Sequence, residues 1–325
     1  MIDLKGEYIP MPKTRAFRAL HSRADQPLLL PNIWDVGGAK LAELLGAKAV
    51  ATTSAGVSWS LGYPDGNKLP IERQAQLAND LVKAVTVPVS IDMESGYSDD
   101  PVLVSENLKR VLDAGIAGIN IEDGTGEPSL LAKKIEAIKR TASAMKVDVF
   151  VNAQTDVYLQ NLVPDENKAE ETLARATVYS DAGADGLFVP RLNELTQIAQ
   201  ITVGTRLPVN LLAWPGLPKM ADLAKLGVRR LSAGPGISQI VWQQIAKVTE
   251  VFLATGDSEM FAQDSMTRGE LQRLFANREV NSIVPVRLPL GHMPGLCGDR
   301  RNRTTLETEV IVKEKCKELI QCQKT

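Results

Sequence analysis

Short, almost purely apolar runs recur along this chain, and each is followed by a stretch whose apolar residues have helical spacing. Runs without polar alternation are typical of strands buried on both faces, as in a parallel sheet covered by helices. The eight candidate strands span residues 28–34, 48–54, 87–94, 117–123, 148–154, 185–190, 207–213 and 228–234. Eight strand–helix units predict a closed (β/α)8 TIM-type barrel, a fold of roughly 250 residues. The alternative is an open doubly wound sheet, but residues 31–40 lack the Gly-x-Gly-x-x-Gly that usually follows its first strand.

Local signals mark where the helices begin and end. Asp100 and Pro101 predict a side-chain cap followed by a proline in the first helical turn. Four glycines at helix ends are expected in the left-handed region, namely Gly46, Gly115, Gly183 and Gly227. Two further helices follow Gly236. We therefore predict a barrel with extra C-terminal helices over residues 1–277, and an irregular extension rich in Pro, Gly and Arg over residues 278–325.

Charge and composition exclude several classes of protein. The net charge is −2 and no basic stripe with interleaved aromatic residues is present, so we expect no nucleic-acid partner. No apolar run approaches the roughly 20 residues of a membrane helix, and no secretory signal opens the chain, so we expect a cytoplasmic protein without membrane contact. The three cysteines, Cys297, Cys316 and Cys322, all lie in the predicted extension, and the two histidines are His21 and His292. A Cys- or His-based metal site in the barrel is therefore nearly excluded.

Acidic residues are concentrated at the ends of the third and fourth candidate strands. Asp92 and Glu94 lie two apart on one strand, so their side chains leave from the same face, and Glu122 ends the next strand. Because several carboxylates in a dry barrel mouth repel each other, a cation is expected to join them. Oxygen ligands favour Mg2+, with Mn2+ as an alternative ion. Taken singly, each acid is also compatible with a helix cap or a surface ion pair.

A second candidate site is the hydroxyl- and glycine-rich segment 52–66. Its small residues leave backbone N–H groups open to a carboxylate or phosphate, and the loop is long enough to act as a gate. An ordinary Gly/Ser-rich turn is the alternative interpretation.

Five motifs in order give the chain a resemblance to a known family. They are PNIWDVGGAKLAE (31–43), TTSAGVSWSLGYPDG (52–66), VPVSIDMESGYSDDP (87–101), AGINIEDGTGE (117–127) and VNAQTDVYL (151–159). Over about residues 10–275 the chain resembles the isocitrate lyase/phosphoenolpyruvate mutase superfamily, in its phosphonomutase-type or 2-methylisocitrate-lyase-like branch. The resemblance implies a (β/α)8 barrel whose last helix is often swapped between subunits, giving homodimers or homotetramers. It also implies chemistry on Mg2+ with enolates of pyruvate-like compounds.

The resemblance assigns roles to individual residues. Asp92 matches the direct metal ligand, and Glu94 and Glu122 match acids that hold metal-bound waters. Asp65 matches an acid on the gating loop, and Asn210 matches a polar substrate contact on strand seven; with Glu122 they form the predicted catalytic set. The predicted substrate-binding residues are Trp34, Thr53, Ser54, Ala55, Gln154 and Arg191.

Three positions depart from the family pattern. Residues 124–128 replace the Cys-containing loop of the lyases, which argues against Cys-dependent isocitrate cleavage. Gln154 stands where the family has a carboxylate-binding arginine, and no general acid or base is visible near Pro190 and Arg191. We expect Arg191, on the neighbouring strand end, to replace part of the missing positive charge.

The sequence therefore predicts a Mg2+-dependent lyase, decarboxylase or mutase that acts on a small 2-oxo acid carboxylate or its enolate. One alternative is a catalytically weakened barrel that binds a metabolite or serves as a partner subunit, since the Arg and the Cys are both absent. A second alternative is a phosphosugar barrel with a phosphate cup at 232–236, although that loop lacks an accompanying Lys or His.

Overall fold

The strands of this computed structural model all lie in one parallel sheet. The structure describes residues 11–262 and 265–276. Its strands are β1 (Leu28–Leu30), β2 (Asn32–Ile33), β3 (Val50–Thr52), β4 (Val89–Asp92), β5 (Gly118–Glu122), β6 (Phe150–Gln154), β7 (Gly186–Val189), β8 (Val209–Leu212) and β9 (Arg230–Ser232). Each strand lies within a segment that the sequence predicted, because continuous apolar runs suit strands covered on both faces.

The sheet closes on itself. Its order is β1-β9-β8-β7-β6-β5-β4-β3-β2, and every pairing is parallel. The two end strands, β1 and β2, are consecutive pieces of one predicted strand separated by Pro31, whose carbonyl oxygen accepts from the Ala51 N–H at 3.1 Å. The molecule is thus an eight-position (β/α)8 barrel, as predicted, and the open doubly wound sheet is wrong.

Helices surround the barrel. They are α1 (Lys13–His21), α2 (Val36–Leu44), α3 (Ser54–Ser60), α4 (Ile71–Ala84), α5 (Pro101–Leu112), α6 (Pro128–Ala144), α7 (Lys168–Asp181), α8 (Leu195–Gly204), α9 (Met220–Lys225), α10 (Gly236–Thr255) and α11 (Arg268–Ala276). The Asp100 side chain accepts from the Val102 N–H at 2.9 Å, which confirms the predicted cap. The four predicted helix-end glycines all have φ between 83° and 102°. No helix of residues 11–262 and 265–276 combines the length and apolar character needed to cross a bilayer.

The barrel has a plug at the amino-terminal ends of its strands. Phe17 of α1 is fully buried there with Leu28, Ala117 and Phe150. A Cβ on Gly118 would come within 2.7 Å of the Phe17 ring, so only glycine leaves room for the plug. With this end closed, the interior opens only toward the carboxyl ends of the strands, where barrel enzymes place their active sites.

The two C-terminal helices predicted after Gly236 are α10 and α11. Only Ser238 of α10 is buried, whereas Ile240 and Leu253 are 64% and 79% exposed. The predicted extension at 278–325, with its three cysteines and His292, lies outside the described residues.

Candidate active site

Hydrogen bonds to both its main chain and its side chain hold Asp92 at the barrel mouth. It ends β4, and its Oδ2 accepts from the Ser54 N–H at 3.2 Å while its Oδ1 accepts from the Glu94 N–H at 3.3 Å. Its own N–H donates to Thr52 Oγ1 at 2.8 Å, and its carbonyl oxygen accepts from Gln74 Nε2 at 2.7 Å. Contacts from β3 and α4 therefore fix the main chain of Asp92, and the N–H groups of Ser54 and Glu94 orient its carboxylate.

Glu94 links the barrel mouth to the predicted gating loop. It is 2% exposed and has a φ of 49°, a conformation rare for a residue with a side chain. Its Oε2 accepts from the Asn67 N–H, and Asn67 Oδ1 accepts from the Tyr97 N–H at 3.2 Å. These bonds dock the loop that carries Asp65 against the strand-four acids. The other oxygen, Oε1, is buried and has no hydrogen-bond partner among the described residues.

Gln154 connects the acids of β5 and β6. Its Nε2 donates to Glu122 Oε2 at 3.0 Å and to Asp156 Oδ1 at 2.8 Å. The Asp156 N–H in turn donates to Asp123 Oδ1 at 2.8 Å, and Asp123 is paired with Arg175 at 2.9 Å. Gln154 therefore uses both amide hydrogens on carboxylates.

The acids at the mouth hold their protons more tightly than exposed acids do. Removal from water, with the negative charges of Asp92, Asp156 and other acids added to it, raises the pKa of Glu122 to about 9. Burial raises the pKa of Asp92 to about 6, partly offset by its backbone hydrogen bonds, and the charge of Asp65 adds to the increase. Burial also raises the pKa of Glu94, with further contributions from Asp92 and Asp65. The four acids predicted for the site thus act on one another electrostatically.

These residues suit a hard cation bound largely through water. Their donor atoms are all oxygens, and the buried Glu94 Oε1 still needs a partner. Within residues 11–262 and 265–276, no three His, Cys, Asp or Glu side chains are close enough to hold a metal ion between them. Three direct protein ligands are therefore not assembled. One direct ligand, Asp92, with water between the ion and both Glu94 and Glu122, is compatible with this geometry because Mg2+ keeps several of its waters.

A polar layer forms the floor beneath the acids. Asn120 lies next to Asp92 in the sheet register and accepts from Asn152 Nδ2 at 2.9 Å. From the opposite wall, Arg230 Nη2 donates to the same Asn120 oxygen at 3.3 Å. Ser232 Oγ accepts from Arg230 Nε at 2.9 Å and donates to the predicted site residue Asn210 at 3.1 Å. Apart from Asn210, no residue of this layer is among the site residues predicted from the sequence. The available signal was an arginine inside a strand predicted to be buried.

The other predicted contacts are spread around the barrel mouth. Thr53 and Ala55 are buried at the start of α3, beside Ser54. Arg191 is exposed at the rim, with its guanidinium carbon 3.5 Å from the centre of the Trp214 ring. Trp34 lines a groove outside the barrel, with Ile237 and other residues of α10.

The loop proposed as a phosphate cup already uses one of its amides internally. The Gly234 N–H donates to Asn32 Oδ1 at 2.9 Å. This contact leaves one fewer N–H group for a phosphate and weakens the phosphosugar alternative.

This chain is similar in sequence to proteins of one known family. The sequence profile described as phosphoenolpyruvate phosphomutase matches residues 17–253. An uncharacterized protein of Mycobacterium tuberculosis strain H37Rv is 41% identical over 227 residues, 67% of this chain and 81% of that protein. The 2-methylisocitrate lyase of Bacillus subtilis is 30% identical over 213 residues, 61% of this chain and 65% of that enzyme.

A solved structure extends the comparison to three dimensions. A candidate phosphonomutase of Burkholderia cenocepacia J2315 has a TM-score of 0.70 and 39% identity, with coverage of 74% of this chain and all of that one. The profile matches residues 17–253, and the sequence relatives and the solved structure each cover most of the same chain. The chain therefore belongs to the phosphoenolpyruvate phosphomutase family, within the isocitrate lyase/phosphoenolpyruvate mutase superfamily.

Proposed function

We propose that this protein is a Mg2+-dependent lyase, decarboxylase or mutase that acts on a small 2-oxo acid or its enolate. The observation that carries the proposal is the group of acids at the mouth, in which Asp92, Glu94 and Glu122 all have raised pKa values. Burial is the main cause of these raised pKa values and repulsion among the acids adds to it, and a cation bound among the carboxylates offsets both. Mn2+ would fit the same oxygen donors.

Named relatives support the substrate class. The oxaloacetate decarboxylase of Bradyrhizobium sp. strain ORS 278 is 26% identical to this chain over 248 residues. Phosphonopyruvate hydrolase, 22% identical with a TM-score of 0.71, has been crystallised with oxalate and Mg2+. Together with the 2-methylisocitrate lyase, these relatives are named as enzymes that act on small oxo or hydroxy acids.

Each side chain has a proposed part in this chemistry. Asp92 would hold the ion directly, and Glu94 and Glu122 would hold its waters. A bound Mg2+ would supply Lewis acidity at the oxo group of the substrate. The residues proposed to bind the substrate are Trp34, Thr53, Ser54, Ala55, Gln154 and Arg191. Asp65 and Glu122 are the proposed proton-transfer groups, and Asn210 is a proposed polar contact to the substrate.

Cys-dependent isocitrate cleavage is not part of this proposal. Residues 124–128, after β5, contain no cysteine, and every cysteine of the chain lies at position 297 or beyond. Decarboxylation and mutase chemistry require no thiol, which makes them the better candidates.

Turnover tests the proposal directly. The purified protein is assayed with oxaloacetate, phosphonopyruvate and 2-methylisocitrate, with Mg2+ and then with EDTA, beside Asp92→Asn as the matched control. We expect turnover of at least one substrate that is lost with EDTA and in the variant. Tight oxo-acid binding without turnover would instead support the alternative of a weakened, metabolite-binding barrel.

We also propose that the chain forms a homodimer or homotetramer through α10. This helix exposes Ile240, Trp242 and Leu253, and it lies beside a groove of about 700 Å3 lined by apolar residues of β1 and α2. Exposed apolar surface next to an apolar groove is typical of an interface. Sedimentation velocity should show a monomer for Ile240→Asp but not for Gln243→Asp on the same helix. A monomeric wild type would contradict the assembly.

A further inference from the structure

Arg230 is a fully buried cation in the middle of the barrel. It lies at the start of β9, opposite Asn210 in the register of β8, and is 0% exposed. Its Nε donates to Ser232 Oγ, two residues nearer the carboxyl end of the strand, so the side chain runs toward the barrel mouth. Its Nη2 reaches Asn120 on β5, four strands away in the sheet order. Since four strands are half of an eight-position barrel, the guanidinium crosses the barrel axis.

Two hydrogen-bond donors in this layer lack partners. Arg230 Nη1 and Asn210 Nδ2 are both buried, and neither has an acceptor among the described residues. The hydroxyl of Ser232 donates to Asn210 Oδ1, so the amide oxygen is occupied and the NH2 group is left free. Arg230 and Asn210 are register partners on adjacent strands and share Ser232, so both donors belong to one small polar cluster. Buried donors are normally satisfied, and the missing partner is an acceptor.

The charge of Arg230 is also not paired directly with a carboxylate. Among the described residues it forms no ion pair, and both of its acceptors are neutral. Burial lowers its pKa to about 9, opposed by the negative charge of Asp92, so the guanidinium remains charged at neutral pH. A buried unpaired cation costs free energy that a structural arginine would not need to incur. Arg175 is the contrast, because its buried guanidinium pairs with Asp123 and Glu171.

The position of this cluster connects it to the acids above. Asn120, which accepts from Arg230, is the register partner of Asp92. The layer with the free donors therefore adjoins Asp92, and it lies one layer below Glu122, which is two residues further along β5. Gln154, which replaces the family's arginine, has both amide hydrogens committed to Glu122 and Asp156.

We propose that Arg230 Nη1 and Asn210 Nδ2 form an anion-binding site on the barrel floor, which holds the second carboxylate of a dianionic 2-oxo acid. Arg230 then supplies, from the barrel floor, the positive charge that the neutral Gln154 at the end of β6 does not supply. This inference rests on the proposed function and adds to it that Arg230 selects dianionic over monoanionic substrates.

A buried water is the competing occupant of this space. His21 Nδ1 lies 2.8 Å from the Phe17 carbonyl oxygen, and the pKa of His21 is lowered to about 3, chiefly by burial, so the ring is neutral. Its Nε2 is then a buried acceptor without a partner among the described residues. A water between His21 and Arg230 would make the arginine purely structural.

Calorimetry on the full chain separates these cases. The affinities of wild type, Arg230→Lys and Arg230→Met are measured with Mg2+ present. Pyruvate serves as the monoanionic probe and 3,3-difluorooxaloacetate as the dianionic probe. We expect Arg230→Met to bind the dianion at least about tenfold more weakly, as loss of a charge-assisted hydrogen bond implies, with pyruvate affinity unchanged within about twofold. Arg230→Lys should retain part of the preference.

Thermal melting and one control complete the test. Without ligand, Arg230→Met should melt at or above the wild-type temperature, because it removes a buried unpaired charge. Arg175→Met, the control, should melt lower but keep the wild-type ratio of the two affinities. The inference would be overturned if Arg230→Met bound the dianion as tightly as wild type does. It would also be overturned if Arg230→Met melted at a lower temperature and its affinities for both probes fell by the same factor. Either result would favour the structural water. Wild type that binds neither probe would instead refute the proposed function, and the floor site with it.

Discussion

Gln154 donates a hydrogen bond of 3.0 Å to Glu122, and the sequence resemblance predicts an arginine in place of this glutamine. The amide orients the carboxylate but adds no positive charge. Burial and the surrounding acids therefore raise the pKa of Glu122 to about 9, so that in the metal-free protein it carries a proton at neutral pH. This neutral bridge distinguishes the site electrostatically from one built around an arginine.

Gln154→Arg restores the missing charge. We expect it to lower the pKa of Glu122 and to reduce KM for a dianionic substrate several-fold, because a guanidinium can bind a carboxylate in two places. Steady-state kinetics on a confirmed substrate measures this effect. Gln154→Met serves as the control that loses the amide without gaining charge. An unchanged or higher KM in Gln154→Arg would mean that Glu122 and Asp156 occupy the new arginine.

Glu122 should make the metal-free protein less stable as the pH rises from 7 to 9. In the unfolded chain its pKa is near 4.5 and in the folded protein about 9, so the folded state keeps a proton that the unfolded state has released. Stability from this group is complete below pH 4.5 and is lost as the pH approaches 9. His21 and Asp92 titrate below this window when folded, at about 3 and 6.

Melting temperatures between pH 7 and 9 check this expectation. The wild type should lose several degrees without Mg2+, and saturating Mg2+ should flatten the slope because the ion replaces the proton. Glu122→Gln, which cannot ionise, should lose the decrease in stability between pH 7 and 8, below the titration of Arg230 near pH 9. The same slope in Glu122→Gln and wild type would assign the effect to another group.

The sequence allowed the acids at strand ends to be predicted, but not the floor beneath them. Asp92, Glu94 and Glu122 follow apolar runs, and parallel strands bring their carboxyl ends to one edge, so local pattern was sufficient. Arg229 and Arg230 are adjacent in the sequence, and only the register of β9 shows that Arg230 enters the barrel. Contacts between distant segments, such as the docking of Asn67 on Glu94, have no local signal.

Arg191 remains the predicted cation at the rim. Its guanidinium stacks on Trp214, and its φ of 69° is unusual for arginine. We expect Arg191→Ala to raise KM for an oxo-acid substrate at least several-fold, as loss of a charge-assisted contact implies. If kcat and KM both stay at wild-type values, Arg191 has no part in substrate binding.

The predicted extension should be dispensable for folding. All strands and helices of the barrel described above lie between Lys13 and Ala276. A chain ending at Glu279 should therefore stay in solution and melt within a few degrees of the full-length protein. Aggregation of the shortened chain, or a large drop in melting temperature, would show that residues 280–325 stabilise the barrel.

Calorimetry of Mg2+ in the presence of oxalate measures whether Asp92 anchors a Mg2+ ion on which a 2-oxo acid binds. Asp92→Asn is the matched variant, because asparagine keeps the shape and can still accept from the Ser54 N–H. Melting of both proteins without metal serves as the folding control. We predict that wild type binds Mg2+ and oxalate together and releases protons, whereas Asp92→Asn binds them at least about a hundredfold more weakly with its fold intact. Equal Mg2+ and oxalate affinity in the two proteins would mean that Asp92 does not hold the ion.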